Sequence, residues 1–104
     1  MRRQDRVTLS TNIGTVEFEW DPEKAERNFR KHRVRFAEAE TIFKDDNLLT
    51  LFDETGDEER FIAIGLGSQG EILYVVYTAR GENIRLISAR KATLRERREY
   101  EHRK

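Results

Sequence analysis

Apolar and polar side chains alternate along residues 13–20, where Phe18 and Trp20 flank Glu19. A period of two residues is typical of a strand with one buried face. We therefore predict a strand over residues 13–20. The polar residues 1–12 that precede it are predicted to form a flexible N-terminal extension.

The period becomes helical after Asp21 and Pro22. Asp21 is a suitable N-cap, and a proline at the first helical position fixes φ at a helical value. These signals predict a first helix over residues 22–32. Apolar residues with helical spacing then predict a second helix over residues 36–43.

Four short strands follow, because apolar residues again alternate between clusters of turn residues. They are predicted at residues 48–52, 60–66, 72–78 and 84–90. An acidic loop at residues 53–59 separates the first of these strands from the second. Thr93 and Glu96 match a capping box, which predicts a final helix over residues 94–103.

The predicted order is therefore β-α-α-β-β-β-β-α, and the tight turns between the strands favour antiparallel neighbours. This order indicates an α+β fold in which two helices pack on a mostly antiparallel sheet. A chain of 104 residues supports one modest hydrophobic core. We therefore predict a single domain over residues 1–104.

The composition limits the kinds of functional site that the chain can form. The chain has no cysteine and only two histidines, which lie far apart in sequence, so we expect neither a metal site nor another cofactor. Gly-rich phosphate loops and nucleophile elbows are absent from the sequence. Apolar runs long enough to span a membrane are absent too, which favours a cytoplasmic protein.

The net charge is zero, but the charges are segregated along the chain. Residues 21–36 carry six basic and three acidic groups, and residues 80–104 carry nine basic and four acidic groups. Residues 37–59 carry one basic and nine acidic groups. This distribution is compatible with a side that binds polyanions and an acidic side, and equally with ordinary solvated surface.

The first helix places Lys24, Asn28 and Lys31 on one face, with His32 beside them. These side chains can donate hydrogen bonds to phosphate groups. In the alternative interpretation, the lysines keep the helix soluble and His32 packs beside Phe29. The remaining arginines of this region are predicted to be solvated: Arg27, Arg30 and Arg35.

The last strand carries Arg85 and Arg90, which point to opposite faces if the strand is regular. Both can serve one site only if a bulge or the strand end lies between them. An arginine in an apolar strand needs a carboxylate partner or a place at the mouth of a cleft. Glu59 and Arg60 are a candidate structural ion pair and equally a candidate acid/base group. One of Tyr74 and Tyr77 is predicted to lie in the core.

Phosphodiester transfer within RNA suits a protein that has no metal, thiol or Ser-His-Asp set. The 2′-hydroxyl of RNA supplies the nucleophile. The protein then has to position it, move protons and stabilise the charge of the phosphorane with Arg or Lys. The need for a 2′-hydroxyl would also spare DNA.

Three segments resemble the signature blocks of the BrnT family of bacterial toxins, and their order and spacing match as well. They are "FEWDPEKAERNFRKHRV" (residues 18–34), "EERFIAIG" (58–65) and "IRLISARKATLRERREY" (84–100). The resemblance implies a RelE-like fold, ribonuclease activity that arrests growth, and neutralisation by a BrnA-type antitoxin. The antitoxin would bind operator DNA through a ribbon-helix-helix domain, and a complex of two toxin and two antitoxin chains is compatible with this.

The resemblance also implies site residues. Catalytic roles fall on Lys31, His32, Arg85 and Arg90. RNA contacts fall on Lys24, Asn28, Arg60 and Ser88. Tyr77, which is not among the positions of the resemblance, is a further candidate for an RNA contact. One position departs from the family pattern, because Arg33 stands where the family usually has a glycine in a left-handed helix end. Either Arg33 accepts that conformation at some cost or the turn differs.

A protein of another class would share these features. A non-catalytic module could use the same basic surface to hold an acidic or DNA-binding partner protein, and a toxin that has lost its activity would look the same. A third possibility is that the basic segments only pair with the acidic loop. RNA binding would then depend little on salt.

Overall fold

The computed structural model describes residues 5–11, 14–54 and 59–102. Its strands are β1 (Asp5–Thr11), β2 (Gly14–Trp20), β3 (Leu49–Asp53), β4 (Arg60–Leu66), β5 (Ile72–Arg80) and β6 (Asn83–Lys91). Its α-helices are α1 (Pro22–His32), α2 (Phe36–Ala39) and α3 (Leu94–His102), and a 3₁₀ turn, Glu40–Lys44, follows α2. The predicted α+β class and the predicted order from β2 to α3 are confirmed.

The strands form one sheet in the order β1-β2-β6-β5-β4-β3. Neighbours are antiparallel except β2 and β6, whose parallel ladder joins Phe18 to Ile84 and Glu19 to Arg85. The sheet is therefore mixed, because it contains one parallel pair that the sequence analysis did not predict. Turn signals cannot reveal this parallel pair, because most of the chain separates its two strands.

Residues 5–11 form a strand in a segment that the sequence analysis predicted to be flexible. β1 pairs with the whole of β2, from Asp5 opposite Trp20 to Thr11 opposite Gly14. The ladder uses backbone groups, which a polar segment supplies as well as an apolar one. The rest of the predicted extension, residue Ile13, residues 55–58 of the acidic loop and residue 103 lie outside the described residues.

The core lies between residues 22–44 and one face of the sheet. Phe18 is 0% exposed and packs on Phe43, with ring centroids 5.3 Å apart. Trp20 meets Phe36 edge-on at 5.9 Å. The alternation that predicted β2 therefore also identified its buried face. No helix in the described part of the chain is long and apolar enough to cross a membrane.

Helix α3 is held by polar contacts at both ends. At its start, the Thr93 backbone N–H donates to the Glu96 carboxylate at 2.8 Å, and the Glu96 N–H donates to Thr93 Oγ1 at 3.2 Å. The predicted capping box is thus confirmed. Near its end, the buried Tyr100 donates its hydroxyl hydrogen to the Asp45 carboxylate. These contacts fix a helix that has few apolar residues.

Helix α1 ends at Arg33 in the left-handed conformation, with φ 60° and ψ 28°. The Arg33 N–H donates to the Phe29 carbonyl at 2.7 Å. Arginine therefore accepts the conformation that the sequence analysis left undecided. Its Cβ makes that conformation about 1 kcal/mol less favourable than it is for glycine. The guanidinium carbon lies 5.5 Å from the Phe29 ring centroid, which offsets part of this cost.

Arg33→Gly should raise the free energy of unfolding by up to about 1 kcal/mol, because glycine has no Cβ to strain the left-handed backbone. Arg33→Ala is the matched control, since it removes the same charge and keeps the Cβ. Urea unfolding of both variants measures the effect. Equal stability of the two variants would show that the backbone is not strained.

The 3₁₀ turn contains a buried acid, Glu40, which is 7% exposed. Its Oε2 atom has no hydrogen-bond partner within the described residues. Burial raises the pKa of Glu40 from 4.5 to about 7, and the nearby Lys44 opposes this shift only in part. The folded protein therefore holds a proton on Glu40 in a pH range where the unfolded chain has released it.

Stability should fall as the pH rises from about 4.5 to about 7, and the Glu40 contribution to this loss is about 3 kcal/mol at most. Below that range the acid is neutral in both states, so nothing is lost. Glu40→Gln has no titratable group at this position. It should be more stable than wild type at pH 8 but not at pH 4.5. Urea unfolding at the two pH values measures this, with the exposed Glu26→Gln as control. A pH-independent difference would contradict the assignment.

Candidate active site

Helix α1 lies alongside β6 at the point where β2 no longer covers that strand. The β2–β6 ladder reaches Arg85, and β2 ends at Trp20. Further along β6, the Asn28 side chain takes the place of a strand. Its Nδ2 donates to the Ala89 carbonyl at 2.9 Å, and its Oδ1 accepts from the Ala89 N–H at 3.1 Å. One side-chain amide thus satisfies both backbone groups of this edge residue.

Asn28 also joins α1 to the chain that follows it. Its Nδ2 donates a second hydrogen bond to the Val34 carbonyl at 3.1 Å. Both amide hydrogens are therefore used within the protein, and the residue is only 8% exposed. The sequence analysis predicted an RNA contact for Asn28, whereas these bonds direct its amide to the backbone.

A cleft opens where α1 meets β6. It is lined by Lys24, Arg27, Asn28, Lys31 and His32 from α1 and by Ile87 and Ser88 from β6. The helical spacing of the α1 residues puts them on one side of the helix. Lys24, Lys31, His32 and Ser88, all predicted site residues, are therefore brought together. Arg27, predicted only as a solvated residue, joins them because it lies one turn from Lys24 and Lys31.

A bulge in β6 changes which residues share a face. Tyr77 pairs with Leu86 and Val76 with Ser88, so Ile87 is an extra residue in the ladder. This is the bulge that the sequence analysis required if both strand arginines were to share a face. Thr78, Val76 and Tyr74 alternate along β5.

The β6 partners of Thr78, Val76 and Tyr74 are Arg85, Ser88 and Arg90 respectively. These three residues of β6 therefore lie on one face of the sheet. Leu86 and Ala89, at 2% and 0% exposure, lie on the opposite, core-facing side. Ser88 belongs both to the face with the arginines and to the cleft wall. The basic residues of α1 and those of β6 therefore border a continuous surface.

Arg85 is largely enclosed, with its side chain 13% exposed. Its Nη1 lies 3.5 Å from Glu19 Oε1, which makes a long ion pair. The Glu19 carboxylate also accepts from the Asn83 side chain at 3.4 Å. Thr78, at 8% exposure, is the cross-strand neighbour of Arg85. The prediction that a carboxylate fixes one strand arginine is thus confirmed for Arg85.

Arg90 is held more tightly. Its Nη1 and Nη2 donate to the two carboxylate oxygens of Glu96, both at 2.9 Å, and its guanidinium carbon lies 3.9 Å from the Tyr74 ring centroid. The hydrogen bonds with Glu96 raise the pKa of Arg90, and the same bonds lower the pKa of Glu96. The fork of the guanidinium is occupied, so in this arrangement Arg90 attaches α3 to the sheet.

Two further predicted residues lie outside the cleft. Arg60 starts β4 opposite Asp53, and its Nε is buried without a hydrogen-bond partner in the described part of the chain. Tyr77 stacks on Phe61 at 5.5 Å, and burial raises its pKa despite a hydrogen bond with Thr50. Tyr77 is therefore the core tyrosine, and Tyr74 is the one that shares a face with the arginines.

The cleft and the hydrogen bonds of Asn28 lie within the segment that matches a known family. A family model described as "Ribonuclease toxin, BrnT, of type II toxin-antitoxin system" matches residues 20–96. The chain belongs to the BrnT family. The matched range runs from the residue before the α1 cap to Glu96, so it includes both walls of the cleft. A search of curated proteins found no match.

Sequence reasoning missed three residues that shape this BrnT site. Glu96 was assigned only to a helix cap, and Glu19 and Tyr74 only to strand faces. Each holds an arginine of the sheet face in place. The sequence contained two signals: glutamates that alternate with apolar residues along β2, and a glutamate, Glu96, close in sequence to Arg90. The pairing of the strands was needed to interpret both.

Asn28→Ala should lower the free energy of unfolding by about 2–4 kcal/mol, because it leaves the Ala89 N–H and carbonyl and the Val34 carbonyl without a partner. Lys31→Ala, on the same helix and exposed, is the control and should stay within about 0.5 kcal/mol of wild type. Urea unfolding measures both. Equal losses of unfolding free energy in the two variants would mean that the hydrogen bonds of Asn28 do not hold α1 in place.

Proposed function

We propose that this BrnT-family protein is an endoribonuclease that needs no metal ion, cleaves RNA by attack of the 2′-hydroxyl and arrests growth as the toxin of its system. One observation carries the proposal. Ser88 lies in the cleft wall beside the basic side chains of α1 and on the sheet face that carries Arg85. The basic cleft and the sheet face that carries Arg85 therefore meet at Ser88. We also propose that the fold is RelE-like.

The reaction has three requirements that such a surface can meet. A base removes the proton of the 2′-hydroxyl, whose oxygen attacks the adjacent phosphorus. An acid protonates the departing 5′-oxygen, and cations stabilise the phosphorane. The products are a 2′,3′-cyclic phosphate and a 5′-hydroxyl end. The substrate supplies its own nucleophile, so positioning is a large part of the task.

The cleft suggests a role for each residue. Exposed Lys24, Arg27 and Lys31 bind phosphates along an RNA strand, and exposure lets them do so without losing a protein partner. His32, half-buried in the same cleft, transfers protons, with Lys31 as the alternative proton-transfer group. Ser88 donates a hydrogen bond to the reacting phosphate.

The arginines differ in what they can contribute. Arg85 has a long ion pair at 3.5 Å and is the better candidate for stabilising the phosphorane. Arg90 would have to leave Glu96 to bind phosphate, so we assign it to holding the sheet face and α3 in place. Arg60 lies outside the cleft, opposite Asp53 in the acidic region, so we assign it no contact with RNA. Tyr77 and Asn28 support the site from within the protein.

The family is one of type II toxin–antitoxin systems, so a protein antitoxin is the expected partner. We propose a BrnA-type antitoxin with a ribbon-helix-helix domain. Operator DNA would then be bound only through the antitoxin. We also propose that the protein acts in the cytoplasm, where its RNA substrate is found.

Purified protein free of antitoxin should cleave a defined, end-labelled RNA in excess EDTA and leave 2′,3′-cyclic phosphate ends. His32→Ala and Arg85→Ala should each slow cleavage by about a hundredfold or more. Arg30→Ala removes a charge from α1 outside the cleft and should change the rate by no more than about threefold. Circular dichroism confirms that each variant is folded.

Other results would favour other readings. Cleavage that requires added Mg²⁺ would contradict metal independence. Folded protein that binds RNA in a salt-dependent way without cleaving it would favour the non-catalytic binding module. Similar rates for Arg30→Ala and His32→Ala would place the chemistry outside the cleft.

A further inference from the structure

Within the described residues, the sheet ends at β3. β3 pairs with β4 in an unbroken register from Leu49 opposite Ile64 to Asp53 opposite Arg60, and it is the last strand in the sheet order. A terminal strand presents unpaired N–H and carbonyl groups on alternate residues of its outer side. This edge can therefore accept another strand.

β3 is exposed on both faces as well as at its edge. Thr50, Leu51 and Phe52 are successive residues and all are exposed, Leu51 by 39% and Phe52 by 51%. Successive side chains point to opposite faces, so an apolar side chain is open on each. The strand has no lysine, proline or bulge of the kind that usually blocks edge pairing.

The surroundings of this edge are strongly acidic. Residues 45–59, which contain β3, carry seven acidic groups and no basic group. Asp46, Glu54 and Glu59 flank the strand and are exposed. An RNA strand would be repelled here, so the edge is not an extension of the basic cleft.

A second copy of the chain is a poor occupant. Antiparallel pairing of two β3 strands about Leu51 would bring Asp53 and Glu54 of each copy beside the strand start of the other. Asp46 lies just before that start. Acidic groups would then face acidic groups at both ends of the pair, which is destabilising.

We propose that β3 is the docking edge for an extended, basic segment of a partner protein, which adds to the sheet as a further strand. Backbone hydrogen bonds would join the segment to β3. Its side chains would cover Leu51 and Phe52, with the apolar ones on one face of the added strand, and Lys or Arg at its ends would pair with Glu54, Glu59 and Asp46. The proposal goes beyond the ribonuclease activity and does not depend on it.

A fluorescein-labelled peptide, Lys-Arg-Val-Thr-Val-Thr-Val-Lys-Arg, tests the proposal with the full chain by fluorescence anisotropy. It should bind saturably, and the amide signals of residues 49–53 should shift in NMR spectra. Two control peptides separate charge from strand formation. One has Glu in place of each Lys and Arg, and the other has Pro in place of the central Val.

Two pairs of matched variants locate the site. Glu54→Lys with Glu59→Lys should weaken binding by about tenfold or more, whereas Glu99→Lys with Glu101→Lys makes the same change of charge on α3 and should have an effect of about twofold or less. Leu51→Gln should also weaken binding, and Leu94→Gln, at another exposed leucine, should not. If Leu51→Gln does not fold, the variant with Glu54→Lys and Glu59→Lys still tests the proposal, because both of these residues are exposed.

The proposal is overturned if the basic peptide does not saturate, if the proline peptide binds equally well, or if the α3 charge variant weakens binding as much as the β3 variant. Sedimentation of wild type gives a separate check. A dimer that Leu51→Gln dissociates would make a second copy the occupant. RNA cleavage is not measured in any of these assays, so their failure leaves the ribonuclease proposal intact.

Discussion

The hydrogen bonds between Asn28 and Ala89 are the interaction on which the site depends. β2 covers only the first part of β6, so the rest of that edge needs other partners for its backbone groups. Asn28 supplies them at 2.9 and 3.1 Å and uses its remaining amide hydrogen on Val34. The same bonds fix the position of α1 and the turn after it. These hydrogen bonds therefore position every basic side chain that α1 presents to the cleft.

The bulge at Ile87 is the second constraint, and it determines to which face of the sheet the side chains of β6 point. It shifts the pairing so that Arg85, Ser88 and Arg90 share a face. The two arginines then have different surroundings. Arg85 has a long ion pair with Glu19, whereas Arg90 is held by both oxygens of Glu96 and by the Tyr74 ring. The two arginines of this strand thus have different partners.

Charge divides the molecule into two regions. The cleft between α1 and β6 is basic, and the region around β3 is acidic. An acidic edge cannot compete with the cleft for RNA, and the basic cleft does not attract a basic peptide segment. The family supports a ribonuclease toxin with an antitoxin partner, and this separation would let one protein bind two chemically different partners.

The sequence by itself determined the order of the elements from β2 to α3 and the group of residues on α1. Asp21, Pro22 and the change of hydrophobic period are local signals, and helical spacing alone joins Lys24, Lys31 and His32. Only the tertiary structure decided the strand β1, the parallel β2–β6 pair, the bulge and the partners of Asn28 and Arg90. These features depend on hydrogen bonds between residues distant in sequence, such as Asn28 and Ala89. The pattern of side chains along one segment does not specify which distant backbone groups need a partner.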